Sequence, residues 1–168
     1  KIVRWLDSIK STAEEIFLVG DIFDFWWEYK YTIPKGQTRL LGKIAELTDN
    51  GIKVHFFTGN HDLWIRDYFV QELGVTVNHQ PIKKIFNNKS FLIGHGDGLG
   101  PGDGWYKFLK KCFKNPFLIW CFKTLHPNFG FWIARRSSKR SRINTGDSDK
   151  EFLGEDNEWL MTYCKEQL

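Results

Sequence analysis

Three short turns in this sequence carry side chains able to hold a cation: Gly20-Asp21-Ile22-Phe23-Asp24, Gly59-Asn60-His61-Asp62 and Gly94-His95-Gly96-Asp97. Asp21, Asn60 and His95 offer oxygen, oxygen and nitrogen donors, a set that suits Mn, Fe or Zn rather than a metal preferring thiolates. A carboxylate can bridge two cations, and a neutral amide adds a ligand without cancelling their charge, so such a site stays electrophilic. Two ions roughly 3.5 to 4 Å apart are suited to clamping a phosphate and activating water for in-line displacement. His61, beside a ligand, is placed to give a proton or a hydrogen bond to a leaving oxygen. Asp24, Asp62 and Asp97 read as turn-capping or supporting groups, and His55 and His79 as structural or solvated residues. A Gly-Asp or Gly-His on its own is an ordinary turn. Three such turns, each closing an apolar run, are what point to chemistry.

The runs before the turns, Ile16 to Val19, Lys53 to Phe57 and Ser90 to Ile93, read as strands. In an open α/β sheet the loops at the carboxyl ends of strands converge on one edge, so the three turns are expected to wall one site. Ile2, Trp5, Leu6 and Ile9 keep the rhythm of a helix facing a core. A second helix is expected from Arg39 to Asn50, with Leu40, Leu41, Ile44 and Leu47 on one face and Gly51 as its stop. A third is expected from Leu63 to Leu73, ended by Gly74, followed by a short strand at Val75 to Val77. Lys83 to Phe86 and Ser90 to Ile93 should pair as a hairpin about Asn87-Asn88. Strand alternating with helix indicates an α/β sandwich. The chain opens directly on a helix and stops inside another, as expected of a piece of a longer domain.

The 168 residues are enough for one packed domain, and 42% hydrophobic with 17% aromatic content excludes general disorder. No apolar run approaches the roughly 20 residues that span a bilayer, and no signal peptide stands at the start. Cys112, Cys121 and Cys164 lack metal-ligand spacing and are expected to be reduced thiols of a cytoplasmic protein. The net charge of +4 conceals a division: Gly104 to Gly146 holds ten Lys or Arg and no acid, leaving fourteen cations against twenty acids elsewhere. A partner of the basic segment should be anionic: phosphate, nucleic acid or a membrane surface. After a glycine-rich connection, Trp105 to Phe122 and Phe129 to Arg142 read as two basic, aromatic helices parted at His126-Pro127, and Asp147 to Asp149 open another. Aromatics at helical spacing favour a lipid surface over nucleic acid.

The three turns resemble the middle three motifs of the calcineurin-like metallophosphoesterases. The resemblance covers essentially the whole chain and implies a metallophosphoesterase sandwich, truncated at both ends, with residues 105–142 as an inserted helical lid. It implies two divalent ions, Mn²⁺ with Fe or Zn as alternatives, only one of whose sites is largely represented here. Asp21 would bridge the ions, Asn60 and His95 would ligate, and His61 would assist transition-state charge and leaving-group protonation. The family's opening Asp-x-His and closing Gly-His-x-His turns do not occur in these residues.

The run Gly-Asp-Ile-Phe-Asp-Phe-Trp, the spacing from His95 to Asp103 and Tyr106, and the stretch Ala134 to Arg142 resemble one branch of that family. Its members act in lipid A synthesis, splitting an acylated UDP-sugar into UMP and a lipid monophosphate. By this resemblance Asp103, Tyr106, Arg135, Ser138 and Arg142 would contact substrate. The protein would then work at the cytoplasmic side of the inner membrane, against an anionic lipid surface. One departure is His61, which stands where that branch commonly carries Arg. A phosphoesterase for another nucleotide or phospholipid, and a non-catalytic membrane-binding or scaffold protein, are the alternatives. For the lid, the plainer alternative is that its aromatics simply pack on each other and on the sheet.

Overall fold

In the computed structural model, which describes residues 1–97, 104–134, 136 and 159–168, the alternation of Ile16 and Leu18 with more exposed neighbours becomes a strand beside its parallel counterpart. Two compact units are formed, Lys1–Pro81 and Ile82–Leu168.

The first unit runs α1 (Ile2–Ile9), β1 (Glu15–Val19), α2 (Thr38–Asp49), β2 (Lys53–Phe57), α3 (Tyr68–Gln71) and β3 (Thr76–Asn78). Its sheet has the order β1-β2-β3, all parallel. Val19 is level with Phe57 in the register, so the residues following β1 and β2 leave the sheet at the same height. That register brings the first two turns together.

Leu6 of α1 and Leu40, Leu41, Ile44 and Leu47 of α2 pack with Ile16, Leu18, Val54 and Phe56. These positions of α2 recur at three- and four-residue spacing, giving the helix one apolar face. The helix ends as its sequence dictates: Gly51 takes φ +83°, its N–H donates to the Thr48 carbonyl, and the Ile52 N–H donates to that of Leu47. This is a Schellman closure, and it turns the chain directly into β2.

Part of the aromatic excess is core. Phe23, Trp26, Phe56 and Phe69 are all at most 2% exposed, and Trp26 meets Phe69 edge-on at 5.1 Å between centroids. They close the end of the core beneath the turns. His55 is structural, as expected, its ring stacked on Phe17 at 4.8 Å.

The expected helix from Leu63 to Leu73 is largely absent; only Tyr68–Gln71 is helical. Three tertiary claims hold the preceding residues out of a helix. The Asp62 carboxylate is turned back onto N–H groups of both turns, Trp64 forms a parallel bridge with Trp27, and Glu28 Oε2 accepts from the Tyr68 N–H, where the helix begins.

The second unit begins with β4 (Ile82–Phe86) and β5 (Lys89–Ile93), an antiparallel pair forming its own two-stranded sheet. The expected hairpin is present: Asn87 and Asn88 have φ of +48° and +62°, the left-handed pair of a type I′ turn, which Asn tolerates. The third turn therefore follows a strand of a different sheet from the first two, a correction to the expectation of one sheet edge.

Helices α4 (Gly104–Lys114), α5 (Pro116–Thr124), α6 (127–134) and α7 (Trp159–Gln167) follow. The stretch expected as two helices is broken once more, at Asn115-Pro116. The Asn115 side chain accepts from the Phe117 and Leu118 N–H groups at 2.9 and 3.3 Å, and Pro116 takes a first-turn position where no N–H is needed. Asn115→Ala should cost about 1 kcal/mol locally. Hydrogen exchange at Phe117 and Leu118 should speed up roughly fivefold with the global unfolding midpoint nearly unchanged. The three cysteines are free thiols. The helix opening at Asp147 to Asp149 and the glycine-rich connection at 98–103 lie outside the described residues.

Candidate functional site

Two consecutive residues leave β1 in the left-handed region, Gly20 at φ +66° and Asp21 at φ +52°. For Asp21 this conformation costs of order 1 kcal/mol, and it persists because neighbours fix it. The His61 N–H donates to Asp21 Oδ1 at 3.0 Å, and the next residue, Ile22, donates its N–H to Asp62 Oδ2 at 3.0 Å. Each turn thus holds the other.

Asp62 is the clamp. It is fully buried, and its second oxygen accepts from the Gly59 N–H at 2.6 Å. Burial pushes its carboxyl above the ordinary range and the nearby Asp21 charge adds to this, against the N–H donors of Gly59 and Ile22 that hold it down. The expected turn-capping role is therefore observed, and it spans both turns. Asp62→Ala leaves two N–H groups without their acceptor and should lower stability by about 3 kcal/mol. A shift in the denaturant midpoint at constant slope would measure it.

The glycine at position 59 is a matter of space. A Cβ there would overlap Asp21 Oδ1 and stand 2.7 Å from the Asp21 nitrogen. Only a residue without a side chain lets the carboxylate lie against the second turn.

The Asn60 side-chain amide reaches the Asp21 carboxylate, and its NH₂ can donate to both oxygens, at 3.0 and 2.9 Å. With the amide turned, the same two groups would offer oxygen ligands to a cation. The donor set, the cradle left by Gly59 and the exposed position of Asp21 fit a hard divalent ion. Among the described residues no three His, Cys, Asp or Glu side chains gather as ion ligands. The donors that meet in this unit are a carboxylate and an amide.

His61 is pinned at three points. Its N–H holds Asp21, its carbonyl accepts from the Trp26 N–H at 3.0 Å, and its Nδ1 lies 2.9 Å from the Asp24 carbonyl. A carbonyl only accepts, so Nδ1 carries the proton, and Nε2 is the nitrogen that can exchange one with a substrate oxygen.

Glu28 escaped the sequence reading. It is 5% exposed, accepts from Trp26 Nε1 at 3.0 Å, and ties the loop after β1 to the start of α3. Its signal was present: an acid inside Phe25-Trp26-Trp27-Glu28-Tyr29 must find donors if the aromatics are buried.

In the second unit His95 follows β5, half-buried, with Gly96 at φ +82°. Asp97 forms an ion pair with Lys110 of α4 at 2.6 Å, a partner the sequence did not reveal. Tyr106 lies in α4, but its side chain is outside the described residues, as are Asp103, Arg135, Ser138 and Arg142.

The sequence of residues 1–156 matches the family model for calcineurin-like phosphoesterases. The chain is similar to UDP-2,3-diacylglucosamine hydrolase of Porphyromonas gingivalis, at 35% identity over 99% of the chain and 68% of the relative. The enzyme of the same name in Ectopseudomonas mendocina is 29% identical over 90% of the chain and 62% of the relative. That of Vibrio vulnificus is 28% identical over 73% of the chain and 50% of the relative. The chain thus spans one half to two thirds of the length of these curated relatives. With the family model matched over nearly all of its residues, and the first two motif turns locked together by Asp62, the chain belongs to the calcineurin-like phosphoesterases.

Proposed function

We propose that the full-length protein hydrolyses the pyrophosphate of UDP-2,3-diacylglucosamine to UMP and 2,3-diacylglucosamine 1-phosphate, a step of lipid A synthesis. One observation carries the reading: the Asp21 carboxylate and the Asn60 amide, from turns after two paired parallel strands, meet within 3.0 Å, in a chain that UDP-2,3-diacylglucosamine hydrolase of Porphyromonas gingivalis matches over 99% of the chain's length.

In this reading Asp21, Asn60 and His95 hold divalent ions, Mn²⁺ foremost. Such ions, when bound, supply Lewis-acid polarisation of a phosphoryl oxygen and activation of water. Asp62 and Gly59 keep the Asp21 carboxylate and the Asn60 amide in place without a search on binding. Asp24 holds the His61 ring so that Nε2 can protonate or hydrogen-bond the departing phosphate oxygen. Asp103, Tyr106, Arg135, Ser138 and Arg142 are assigned to substrate contact.

The helical segment supports the acylated substrate. Phe117 and Trp120 of α5 stack at 6.1 Å and are 66% and 61% exposed; Phe129 and Trp132 of α6 stack at 5.9 Å and are 51% and 57% exposed. Lysines flank them at 114 and 123, and the Arg136 guanidinium lies over the Trp132 ring. Exposed aromatic pairs edged by cations suit acyl chains and an anionic membrane surface. We assign the segment as a lid and place the protein peripherally on the cytoplasmic side of the inner membrane. Among the described residues no helix is long and apolar enough to cross a membrane.

The test is acyl dependence in the full-length protein with Mn²⁺. Three buried methylenes are worth roughly 2.4 kcal/mol, or about fiftyfold. UDP-2,3-diacylglucosamine should therefore exceed the deacylated sugar nucleotide in kcat/KM by at least about fiftyfold. Equal turnover of the two would assign the protein to another phosphoester.

A further inference from the structure

Asp97 closes the turn after β5, two positions beyond His95, and Lys110 stands in α4. Lys110 Nζ donates to Asp97 Oδ2 at 2.6 Å and to the Asp97 backbone carbonyl at 3.1 Å, gripping side chain and main chain of one residue. The two side chains are 27% and 18% exposed, against 50% and 40% for the surface pair Lys10–Glu46, so water screens this contact less. The contact joins residues 13 positions apart, on either side of 98–103. It fastens the first helix of the basic segment to the turn bearing His95.

We propose that Lys110 is a positioning residue: it holds α4 against the β5 turn, so that the helical segment is already placed when substrate arrives. This rests on the reading that the segment receives an acylated substrate. Without the tether, placing α4 becomes part of the cost of binding, which raises KM and leaves the chemical step alone. Lys110 itself is assigned no contact with a reacting atom. A charge-assisted pair of hydrogen bonds explains why an ammonium is needed, and why a guanidinium, also a multiple donor, should largely replace it.

The test uses the full-length protein with Mn²⁺. Lys110→Met should raise KM for UDP-2,3-diacylglucosamine about tenfold with kcat within about twofold, and Lys110→Arg should recover most of the loss. Hydrolysis of bis(p-nitrophenyl) phosphate, too small to need the helices, should stay within about twofold in both. Asp97→Asn combined with Lys110→Met should be no worse than the more impaired single variant, because both remove one contact. In substrate-free protein, amide exchange across residues 104–114 should accelerate about tenfold in Lys110→Met and not in Lys110→Arg. Unchanged KM and unchanged exchange would overturn the proposal, as would a fall in kcat at constant KM or an equal loss with the small diester. If wild type fails to hydrolyse the acylated substrate, the substrate reading fails instead. Exchange at 104–114 then decides the tether on its own: acceleration in Lys110→Met supports it, and no change ends it.

Discussion

Gly59→Ala should abolish metal-dependent hydrolysis, with a loss of at least about 10³-fold, although it adds a single methyl group. The added carbon would lie in the volume of Asp21 Oδ1 and 2.7 Å from the Asp21 nitrogen. The nitrogen is backbone, two residues beyond the end of β1, and the oxygen is held by the His61 N–H. Neither can step aside without opening the contact between turns that Asp62 closes from beneath. Gly59 is not among the glycines with positive φ, so the penalty arises from occupied space rather than from backbone conformation. The variant should resemble Asp21→Ala: folded by circular dichroism, poor in bound Mn²⁺ by elemental analysis, and inactive. Activity within about tenfold of wild type, with metal retained, would mean that the carboxylate does not work from this position.

His61→Gln should act on the chemistry and spare the metal. Its backbone N–H and carbonyl still serve Asp21 and Trp26, so the turn survives the substitution. What is lost is an imidazole whose Nδ1–H is committed to the Asp24 carbonyl and whose Nε2 faces proton exchange. General acid or electrostatic assistance of this kind is worth about 10²- to 10⁴-fold, and kcat should fall by that factor while Mn²⁺ content is maintained. Loss of metal in proportion to activity would instead make the ring a ligand.

Much of this was legible in the sequence because it is local. Alternation marked β1 and β2, Gly51 marked the end of α2, and Asn87-Asn88 marked a hairpin, each decided by a few neighbouring residues. That the turns bearing Asp21 and Asn60-His61 carry the candidate residues was legible because they sit just past strand ends. Their meeting needed the in-register parallel pairing of Val19 with Phe57, which is non-local. The helix expected from Leu63 to Leu73 was overextended because nothing local reveals that Asp62, Trp64 and Tyr68 answer to residues about 40 positions earlier. The break at Asn115-Pro116 was hidden by an apolar pattern that runs through it, although a cap residue followed by proline is a start signal in its own right. The pairing of β5 with β4 was read from Asn87-Asn88, but that the pair forms a sheet of its own was not, because a hairpin says nothing of a larger sheet.

If Asp21 and its neighbours serve a metal-dependent cleavage of a lipid-linked pyrophosphate, the products formed by the full-length protein will show it. UDP-2,3-diacylglucosamine is incubated with Mn²⁺, after chelation, and with the Asp21→Ala variant, and the phosphorus products are identified by ³¹P resonance and mass. UMP and 2,3-diacylglucosamine 1-phosphate should appear in equal amounts with Mn²⁺, and neither after chelation or in Asp21→Ala. Equal yields in the chelated or Asp21→Ala samples, or an intact pyrophosphate in the presence of bound Mn²⁺, would contradict this reading.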